Sequence, residues 1–359
     1  MAIMSAESGS LIVQPNDRIL VTGAAGFIGR RVVNSLLKMG FYNLRCLTRP
    51  SSKMDGLDEV LRAHQGSTRV EVMAGNLLSA QDCVAAVKDV TVVFHLAAGR
   101  GEKSFPDAFL NSVVTTRNLL DACVAQGNIR RFVNMSSFAV YQNRHNPKGR
   151  LLDESAPVED HPELRANSYC FAKTEQDKLV MDYGQRFGIP QVLVRPGWVY
   201  GPGNPGIHGR VGIGTFGVFL HLGGGNTMPL TYVDNCADAV ALAGLTKGVD
   251  GEVFNIVDDD LPSSRKFLRL YKKNVKRFRS VYLPHVVTYY LCSMWESYSN
   301  WSHGQLPSAY NRRFWHATWK RTRYTNAKLK SRLGWKPAVP TSEGLRRHFE
   351  SCLAGESHA

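Results

Sequence analysis

Long apolar runs are missing from this 359-residue sequence, and without a stretch of about 18 such residues no membrane-spanning helix is predicted. The seven cysteines are scattered and form no CxxC pair, so neither a disulfide framework nor a metal site is indicated. Residues 1–16 lack the basic start and apolar stretch of a signal peptide. We expect them to form a disordered leader, and we expect reduced thiols in a cytoplasmic protein.

Acidic residues are nearly absent from residues 261–332, which hold sixteen Lys or Arg and one acid, Glu296. The net charge of the whole chain is +14, so this region carries the excess. The alternatives are a solvated basic face, attraction of an anionic cofactor or substrate, peripheral contact with an anionic membrane, and nucleic-acid binding. No recognised nucleic-acid-binding module is present, so nucleic acid is not expected.

An apolar stripe lies inside the basic region, after Pro284. Its members recur at helical spacing: Leu283, Val286, Val287, Tyr290, Leu291, Met294 and Trp295. Such a stripe more often packs in a core than on a membrane, and both interpretations stay open.

Short apolar runs alternate with helical patterns in the first part of the chain. The predicted strands are 43–48, 70–73, 90–95, 132–135 and 191–194, and helical patterns cover 110–124 and 173–187. This alternation predicts an α/β fold with a doubly wound parallel sheet, the Rossmann fold. We expect residues 17–200 to form mainly this domain and residues 201–359 a smaller C-terminal substrate lobe, with residues 230–260 returning to the sheet.

A glycine-rich turn joins the first predicted strand to the first helix, as a nucleotide site requires. Gly23 allows the tight turn, Gly26 lets the backbone approach a pyrophosphate, and Gly29 lets helix and strand pack closely. The next strand ends in Thr48 and Arg49, where sites for NAD usually place an acidic residue. Arg49 could instead hold a 2′-phosphate, so NADP is favoured over NAD.

Tyr169 and Lys173 form a YxxxK pattern and would share one helix face. The lysine ammonium favours the phenolate, which makes the tyrosine usable as a general acid or base. Alone, the pattern is usually a solvated helix face. Ser137, just after a predicted strand end, could donate a hydrogen bond to a reacting oxygen.

An ordered set of motifs supports a nucleotide-dependent enzyme. The motifs are TGAAGFIG at 22–29, HLAA at 95–98, SSFAVY at 136–141, YCFAK at 169–173, RPGWVYGPG at 195–203 and LGWKP at 333–337. With them the chain resembles the extended short-chain dehydrogenase/reductases, which include NAD(P)-dependent epimerases and dehydratases and 3-beta-hydroxysteroid-dehydrogenase-like enzymes. The resemblance implies that Tyr169 exchanges the proton, Ser137 polarises the reacting oxygen, and Lys173 binds the nicotinamide ribose. It also implies a homodimer through a bundle that includes the YxxxK helix.

The loop and the resemblance together predict a cofactor site. Its residues are Gly23, Gly26, Phe27, Ile28, Gly29, Arg49, Asn76, Leu77, Ala97, Ala98, Ser136, Tyr169, Lys173, Pro196 and Val199. Asn76 stands where the family often has an Asp that contacts adenine. Pro196 and Val199 are expected near the nicotinamide carboxamide.

The chain departs from the family pattern at two places. The family often reads NVxGT after HLAA, but here Asn111 is one place early and Ser112 takes its position, so Asn111 is not assigned. Trp198 replaces the Asn that nucleotide-sugar members often carry before VYGP, which favours a more hydrophobic alcohol.

The glycine-rich residues 201–225 are expected to form loops over the cleft. Trp198 and Arg210 are candidate substrate contacts, and His208 shares the loop with Arg210. Asp234 and Asn235, in a YVDN segment, are expected to orient the lobe.

These observations predict an oxidoreductase that transfers hydride at a secondary alcohol or ketone of a partly hydrophobic small molecule. One alternative is a nucleotide-sugar epimerase or dehydratase with transient cofactor reduction. A second is a catalytically inactive cofactor-binding protein.

Overall fold

The structure is a computed structural model that describes residues 11–64, 69–99, 104–144, 147–303, 305–306 and 308–356. Its strands are β1 Arg18–Thr22, β2 Leu44–Thr48, β3 Glu71–Ala74, β4 Val90–His95, β5 Arg131–Met135, β6 Leu151–Leu152, β7 Gln191–Pro196, β8 Trp198–Tyr200, β9 Gly212–Thr215, β10 Val218–His221, β11 Leu230–Tyr232, β12 Val253–Ile256, β13 Ser280–Tyr282 and β14 Arg323–Tyr324. Its α-helices are α1 Gly29–Lys38, α2 Asp55–Ala63, α3 Ala80–Val87, α4 Phe105–Ala108, α5 Thr115–Gln126, α6 Ser168–Phe187, α7 Val233–Leu245, α8 Ser264–Asn274, α9 His285–Trp301, α10 Arg312–Thr318, α11 Ala327–Leu333 and α12 Thr341–Glu356. A π-helix covers Phe109–Val114, and short 3-10 helices cover Phe138–Val140 and Pro162–Arg165.

Seven parallel strands form the central sheet in the order β12-β7-β5-β4-β1-β2-β3. The order reverses at β1, so consecutive crossovers run in both directions and helices cover both faces. This confirms the predicted doubly wound fold, and the five predicted strands all lie within two residues of observed ones. The carboxyl ends of β1, β4, β5 and β7 meet at one edge, where a cofactor site is expected.

The smaller lobe is built largely from the second half of the chain. Strands β9, β10 and β13 form a three-stranded sheet, and α8, α9 and α10 belong to this lobe. Strand β12 leaves the lobe and pairs with β7, at the outer edge of the central sheet. The lobe therefore stands at the carboxyl end of the sheet and is anchored to it by α7 and β12.

The predicted leader differs from the structure at residues 11–13. The Ile12 N–H donates to the Leu245 carbonyl at 2.9 Å, and Val13 is buried against the main core. Apolar side chains here gain more from packing on the end of α7 than from solvent, which explains the order. Residues 1–10 lie outside the described residues.

All members of the apolar stripe except Leu283 lie in α9, as their spacing predicts, but these large side chains are exposed. The face that packs on the lobe instead carries Thr288, Cys292 and Ser299. The more common core interpretation of the stripe is therefore wrong. Among the described residues, no helix is both long and apolar enough to cross a membrane.

Asn235 ties the C-terminal segment to the sheet domain. Its side-chain amide donates to the Val339 carbonyl at 2.8 Å and to Asp258 at 3.0 Å, and its Oδ1 accepts from the Val339 N–H at 2.9 Å. Its carbonyl accepts from the Trp335 indole at 3.1 Å. The YVDN and LGWKP segments are thus held together through one fully buried asparagine, whose backbone bonds Trp335 and whose side chain bonds Val339.

Replacing Asn235 by alanine should lower the free energy of unfolding by about 2–4 kcal/mol, because both backbone groups of Val339 and the Asp258 carboxylate lose a buried partner. Urea unfolding measures the change. The matched control is Asp234→Asn, which breaks a half-exposed ion pair to Arg31 and should cost less than about 1 kcal/mol. Equal effects from the two substitutions would contradict the buried role.

Candidate functional site

A cavity of about 940 Å³ opens at the carboxyl edge of the central sheet, between the sheet and the smaller lobe. All predicted catalytic, cofactor and substrate residues line it: Gly23, Gly26, Phe27, Ile28, Gly29, Arg49, Asn76, Leu77, Ala97, Ala98, Ser136, Ser137, Tyr169, Lys173, Pro196, Trp198, Val199 and Arg210. The fold therefore brings together residues that lie up to 187 positions apart in the chain, from Gly23 to Arg210. Their chemical roles stay predictions.

The glycine turn after β1 packs directly on the loop after β4. Gly23 has a φ of +67°, and a Cβ there would lie 3.0 Å from the Ala97 nitrogen. Thr22 holds the two loops together, because its hydroxyl oxygen accepts from the Leu96 and Ala97 N–H groups, each at 3.2 Å. The close approach leaves a narrow, backbone-lined floor at the start of α1, where the helix N-terminus favours a phosphate.

Among the three glycines of the turn, Gly29 excludes a side chain most strictly. A Cβ at Gly29 would lie 2.1 Å from the Gly23 carbonyl oxygen. The first turn of α1 can therefore approach β1 only with glycine here, as the loop pattern predicts.

Positive charge dominates the cavity. Its lining includes Arg49, Arg165, Lys173 and Arg210, and no Asp or Glu occurs among the described residues that line it. Such a wall favours a ligand that carries phosphate groups. Together with the glycine floor, it fits a dinucleotide cofactor.

Arg49 and Asn76 lie at the ends of neighbouring strands. Arg49 follows β2 directly, is exposed, and lines the cavity together with Ser52. Asn76 follows β3, and its Oδ1 accepts from the Leu78 N–H at 3.0 Å, which leaves its amide hydrogens for a ligand. Neither position carries a carboxylate.

Tyr169 and Ser137 face the same cavity from different elements. Tyr169 lies in the first turn of α6 and is 38% exposed. Asn167 caps that helix, since its side chain accepts from the Cys170 N–H at 2.8 Å. Ser137 follows β5 and accepts from the Ala139 N–H at 3.1 Å, so its own hydroxyl hydrogen can be donated to a ligand oxygen.

Lys173 is 3% exposed and connects α6 to the end of β5. Its ammonium donates to the Met135 carbonyl at 2.6 Å and to the Gln176 Oε1 at 2.8 Å. Burial lowers the pKa of Lys173 to about 8, although the Asp177 carboxylate acts in the opposite direction. Lys173 is thus a buried ammonium that loses its proton at a lower pH than an exposed lysine does.

A chain of buried hydrogen bonds runs from Lys173 to the glycine turn. The Gln176 amide donates to Thr116 at 2.7 Å, Thr116 contacts His95 Nε2 at 2.8 Å, and His95 Nδ1 contacts Thr22 at 2.9 Å. Burial lowers the pKa of His95 to about 3, so this ring is neutral. The chain couples the predicted catalytic helix to the phosphate-binding loop through uncharged groups.

A second buried cluster fixes the other side of α6. Asp177 accepts from Ser136 at 2.8 Å, from Asn134 at 3.1 Å and from Arg195 at 3.0 Å. Asn134 lies on β5, Ser136 directly follows it, and Arg195 lies on β7, so the cluster sets where α6 crosses the strand ends. Ser136 therefore lines the cavity and, through its bond to Asp177, also helps to hold α6 in place.

Comparison with known proteins identifies the family. A sequence profile described as the NAD dependent epimerase/dehydratase family matches residues 19–257. The chain belongs to this family. The match confirms the resemblance to the extended short-chain dehydrogenase/reductases.

Proteins similar to this chain have different named activities. The chain is 27% identical to a 3beta-hydroxysteroid-dehydrogenase/decarboxylase from Arabidopsis thaliana, over 92% of this chain and 61% of the relative. It is 30% identical to a trifunctional UDP-glucose 4,6-dehydratase, epimerase and reductase from the same plant, over 66% of this chain and 36% of the relative. A Bacillus cereus UDP-glucuronic acid 4-epimerase in complex with NAD superposes with a TM-score of 0.69 and 23% identity, over 95% of this chain and 100% of that one. The last likeness shows the fold.

The offset at Asn111 has a structural explanation in this family member. Residues Phe109–Val114 form a π-helix, which accommodates one extra residue in a helix. Asn111 lines the cavity, whereas Ser112 is buried and accepts from the Gly99 N–H at 3.1 Å. A sequence pattern with a fixed spacing could not show that the helix would absorb the shift.

The cavity lining also holds residues that the sequence did not predict, among them the polar residues Arg165 and Asn167. Arg165 is buried and donates to the carbonyl of Ala139, two residues after Ser137, at 2.5 Å. Its position depends on the turn before α6, which carries no motif. Asn167 could have been found as a helix cap three residues before Cys170.

The far end of the cavity is aromatic and holds the candidate substrate residues. Trp198 packs on Phe267 and His208, with ring centroids 5.3 and 5.2 Å apart. His208 Nδ1 accepts from the Arg210 N–H at 3.0 Å, and burial lowers the pKa of His208 to about 3. The Arg210 guanidinium donates to the Thr318 carbonyl at 3.1 Å while it lines the cavity. His208 is therefore a neutral support for Arg210.

The titration of Lys173 can be tested through stability. Its pKa falls from 10.5 to about 8 on folding, so the folded protein binds fewer protons than the unfolded chain between these values. The contribution of Lys173 to the free energy of unfolding should therefore rise with pH across this window, as the cost of burying the ammonium is removed. Urea unfolding without cofactor gives the free energy of unfolding of wild type and of Lys173→Met. From pH 8 to 10.5 the value for wild type should rise relative to that for Lys173→Met.

The matched control is Lys178→Met on the same helix, where the lysine is exposed and paired with Glu175. Its difference from wild type should stay flat over the same pH range. A flat difference for Lys173→Met as well would contradict the lowered pKa.

Proposed function

We propose that this chain is an NAD(P)-dependent oxidoreductase that acts at a secondary alcohol or ketone of a partly hydrophobic substrate. The observation that carries the proposal is the single cavity that Ser137, Tyr169 and Lys173 share with the glycine turn. One proton-transfer group, one hydrogen-bond donor and one dinucleotide site are what this reaction requires.

Each of the three residues has a distinct task. Tyr169 gives a proton to, or takes one from, the substrate oxygen. Ser137 donates its hydroxyl hydrogen to the same oxygen and stabilises the charge that develops there. Lys173 supplies a nearby positive charge that favours the phenolate of Tyr169, and its bonds to Met135 and Gln176 hold it in place.

The cofactor would be held mainly by backbone and cationic groups. Gly23, Gly26 and Gly29 form the phosphate floor, and Asn76 faces the adenine end. When bound, the nicotinamide exchanges a hydride with the substrate carbon. Pro196 and Val199 line the same cavity as Ser136 and Tyr169, which supports a nicotinamide position there.

We infer a preference for NADP from the end of β2. Arg49 and Ser52 line the cavity there, and no described lining residue is a carboxylate that could accept from ribose hydroxyls. An arginine at this place pairs with a 2′-phosphate.

The substrate end supports a partly hydrophobic ligand. Its lining includes the apolar side chains of Phe138, Trp198, Ile207, Pro229 and Phe314. Aromatic walls of this kind bind an apolar ring system by burial of its surface. The 3beta-hydroxysteroid-dehydrogenase/decarboxylase named above is consistent with such a ligand.

A nucleotide-sugar epimerase or dehydratase is the second candidate. Arg165 and Arg210 in the cavity could pair with a diphosphate, and two relatives act on UDP-sugars by name. The two candidates differ in cofactor balance. Net consumption of NADPH with a ketone supports the oxidoreductase, whereas product formed without net cofactor change supports the epimerase or dehydratase.

Loss of catalysis, with cofactor binding retained, is the remaining alternative. The intact set of Ser137, Tyr169 and Lys173 argues against it. A homodimer also stays a proposal, and exposed Met181 and Phe187 on α6 support an interface along that helix.

Replacing Tyr169 by phenylalanine should lower turnover by about 100-fold or more while the protein still binds the cofactor, because the proton-transfer group is removed and the other cofactor-site residues are kept. Turnover is measured with sterol and aromatic ketones and with UDP-sugars, following both product and reduced cofactor. The matched control, Tyr42→Phe, changes an exposed tyrosine after α1 and should keep full activity. Unchanged turnover in Tyr169→Phe would overturn the assignment.

Replacing Arg49 by glutamine should weaken NADP binding by about tenfold to 100-fold and change NAD binding little, because one charge-assisted pair is lost. Titration with both cofactors measures this. Lys53→Gln is the matched control, since Lys53 is exposed nearby but lies outside the cavity lining. Equal affinity of wild type for the two cofactors would reject the preference.

A further inference from the structure

Helix α9 turns its small and polar side toward the protein and its large apolar side outward. The residues that face the lobe are small or polar, namely Thr288, Cys292 and Ser299. The residues that face outward are large and apolar: Val286, Val287, Tyr290, Leu291, Met294, Trp295, Tyr298 and Trp301. We call this set the α9 face. A helix of a soluble domain normally turns such a stripe toward its core.

The α9 face is long and continuous. Val286 and Met294 are each 68% exposed, and the exposed residues recur every three or four positions from the start of α9 to its end. At a rise of 1.5 Å per residue, a helix of this length extends about 26 Å. An apolar surface of this extent marks an interaction site.

The face itself is free of unbalanced charge. Helix α9 contains no Lys or Arg, and its one acid, Glu296, accepts from the Arg312 guanidinium at 2.8 Å. Negative charge that would repel an anionic surface is thereby neutralised.

Cations surround the start of the helix. The Arg265 guanidinium lies 5.4 Å from the centre of the Tyr282 ring, two residues before Pro284. Lys148 is close enough to His285 to lower the pKa of that imidazole, although burial is the larger cause. Both cations are exposed. The wider region 261–332, with sixteen cations and one acid, extends the positive field.

We propose that the α9 face lies in the interfacial layer of an anionic lipid bilayer. Tyr and Trp side chains suit the boundary between headgroups and acyl chains, and four of the eight residues of the face are of these types: Tyr290, Trp295, Tyr298 and Trp301. The helix lies in the plane of the surface, with its small polar side toward the protein. Neighbouring cations add attraction to anionic headgroups.

Charge favours lipid over a second copy of the chain. Two copies that met through α9 would bring two strongly positive regions together, since the chain carries +14. An anionic membrane gains from the same field. A membrane and a second copy would both bury the apolar side chains, so the electrostatic energy decides between them in favour of the membrane.

The membrane-facing helix also lies next to the candidate site. The Trp315 indole on α10 donates to Thr288 on α9 at 2.9 Å, and the Trp315 and Tyr289 rings lie 5.1 Å apart. Phe314 and Thr318 of the same α10 line the substrate end of the cavity. Lipid would therefore be one helix away from that end.

Vesicle sedimentation of the full chain tests the proposal. At low salt the wild type should sediment with phosphatidylcholine vesicles that contain phosphatidylserine, and less with phosphatidylcholine alone or at high salt. Val286→Ser with Met294→Ser should lower the partition coefficient about tenfold or more, because two exposed apolar side chains no longer enter the lipid. Both positions face solvent, so the fold is retained.

The matched control replaces exposed apolar residues elsewhere, Val84→Ser with Leu353→Ser, and should leave vesicle binding unchanged. Lys148→Gln with Arg265→Gln should reduce binding only to the anionic vesicles. Equal losses in the α9 variant and the control variant would overturn the proposal.

Analytical ultracentrifugation without lipid tests the alternative that a second copy of the chain covers the α9 face. The oligomeric state should be the same in wild type and in Val286→Ser/Met294→Ser. If the wild type binds no vesicles, the membrane proposal fails; if it also forms an oligomer that this variant dissociates, the α9 face is an interface between copies. Sedimentation needs neither substrate nor cofactor, so its outcome is independent of the proposed activity.

Discussion

The contact between α6 and the end of β5 is the interaction on which the candidate site depends. The Lys173 ammonium bonds to the Met135 carbonyl, and four residues further along the helix Asp177 bonds to Ser136 and Arg195. Both contacts are buried, where an unpaired charge would be costly, so α6 is held in one position over the strand ends. That position brings Tyr169 to the cavity that Ser137 lines.

Hydrogen bonds between neutral groups also connect α6 to the glycine turn after β1. Gln176, Thr116 and His95 connect Lys173 to Thr22, and Thr22 binds the loop after β4 to the loop after β1. A charged group in this chain would need a buried counter-ion. Positive charge is instead concentrated on the cavity wall, where a ligand with phosphate groups can neutralise it.

Much of the sheet and of the site follows from local sequence. The glycines at 23, 26 and 29 are required by backbone approach, which the structure shows as the short distances at Gly23 and Gly29. The candidates for β2, β4, β5 and β7 were correct because buried parallel strands are largely apolar runs, whereas β3 is a mostly exposed edge strand. Arg165 and the π-helix around Asn111 could not be predicted, because each depends on how distant segments pack.

The sequence by itself determined the Rossmann sheet and the glycine-rich turn, and it predicted the Ser137, Tyr169 and Lys173 set, since each rests on short-range periodicity or on a motif. It also determined that α9 is a helix with an apolar stripe. Only the tertiary structure decided which way that stripe faces. The direction depends on the lobe, whose inner surface accepts Thr288, Cys292 and Ser299 and leaves the large apolar side chains outside.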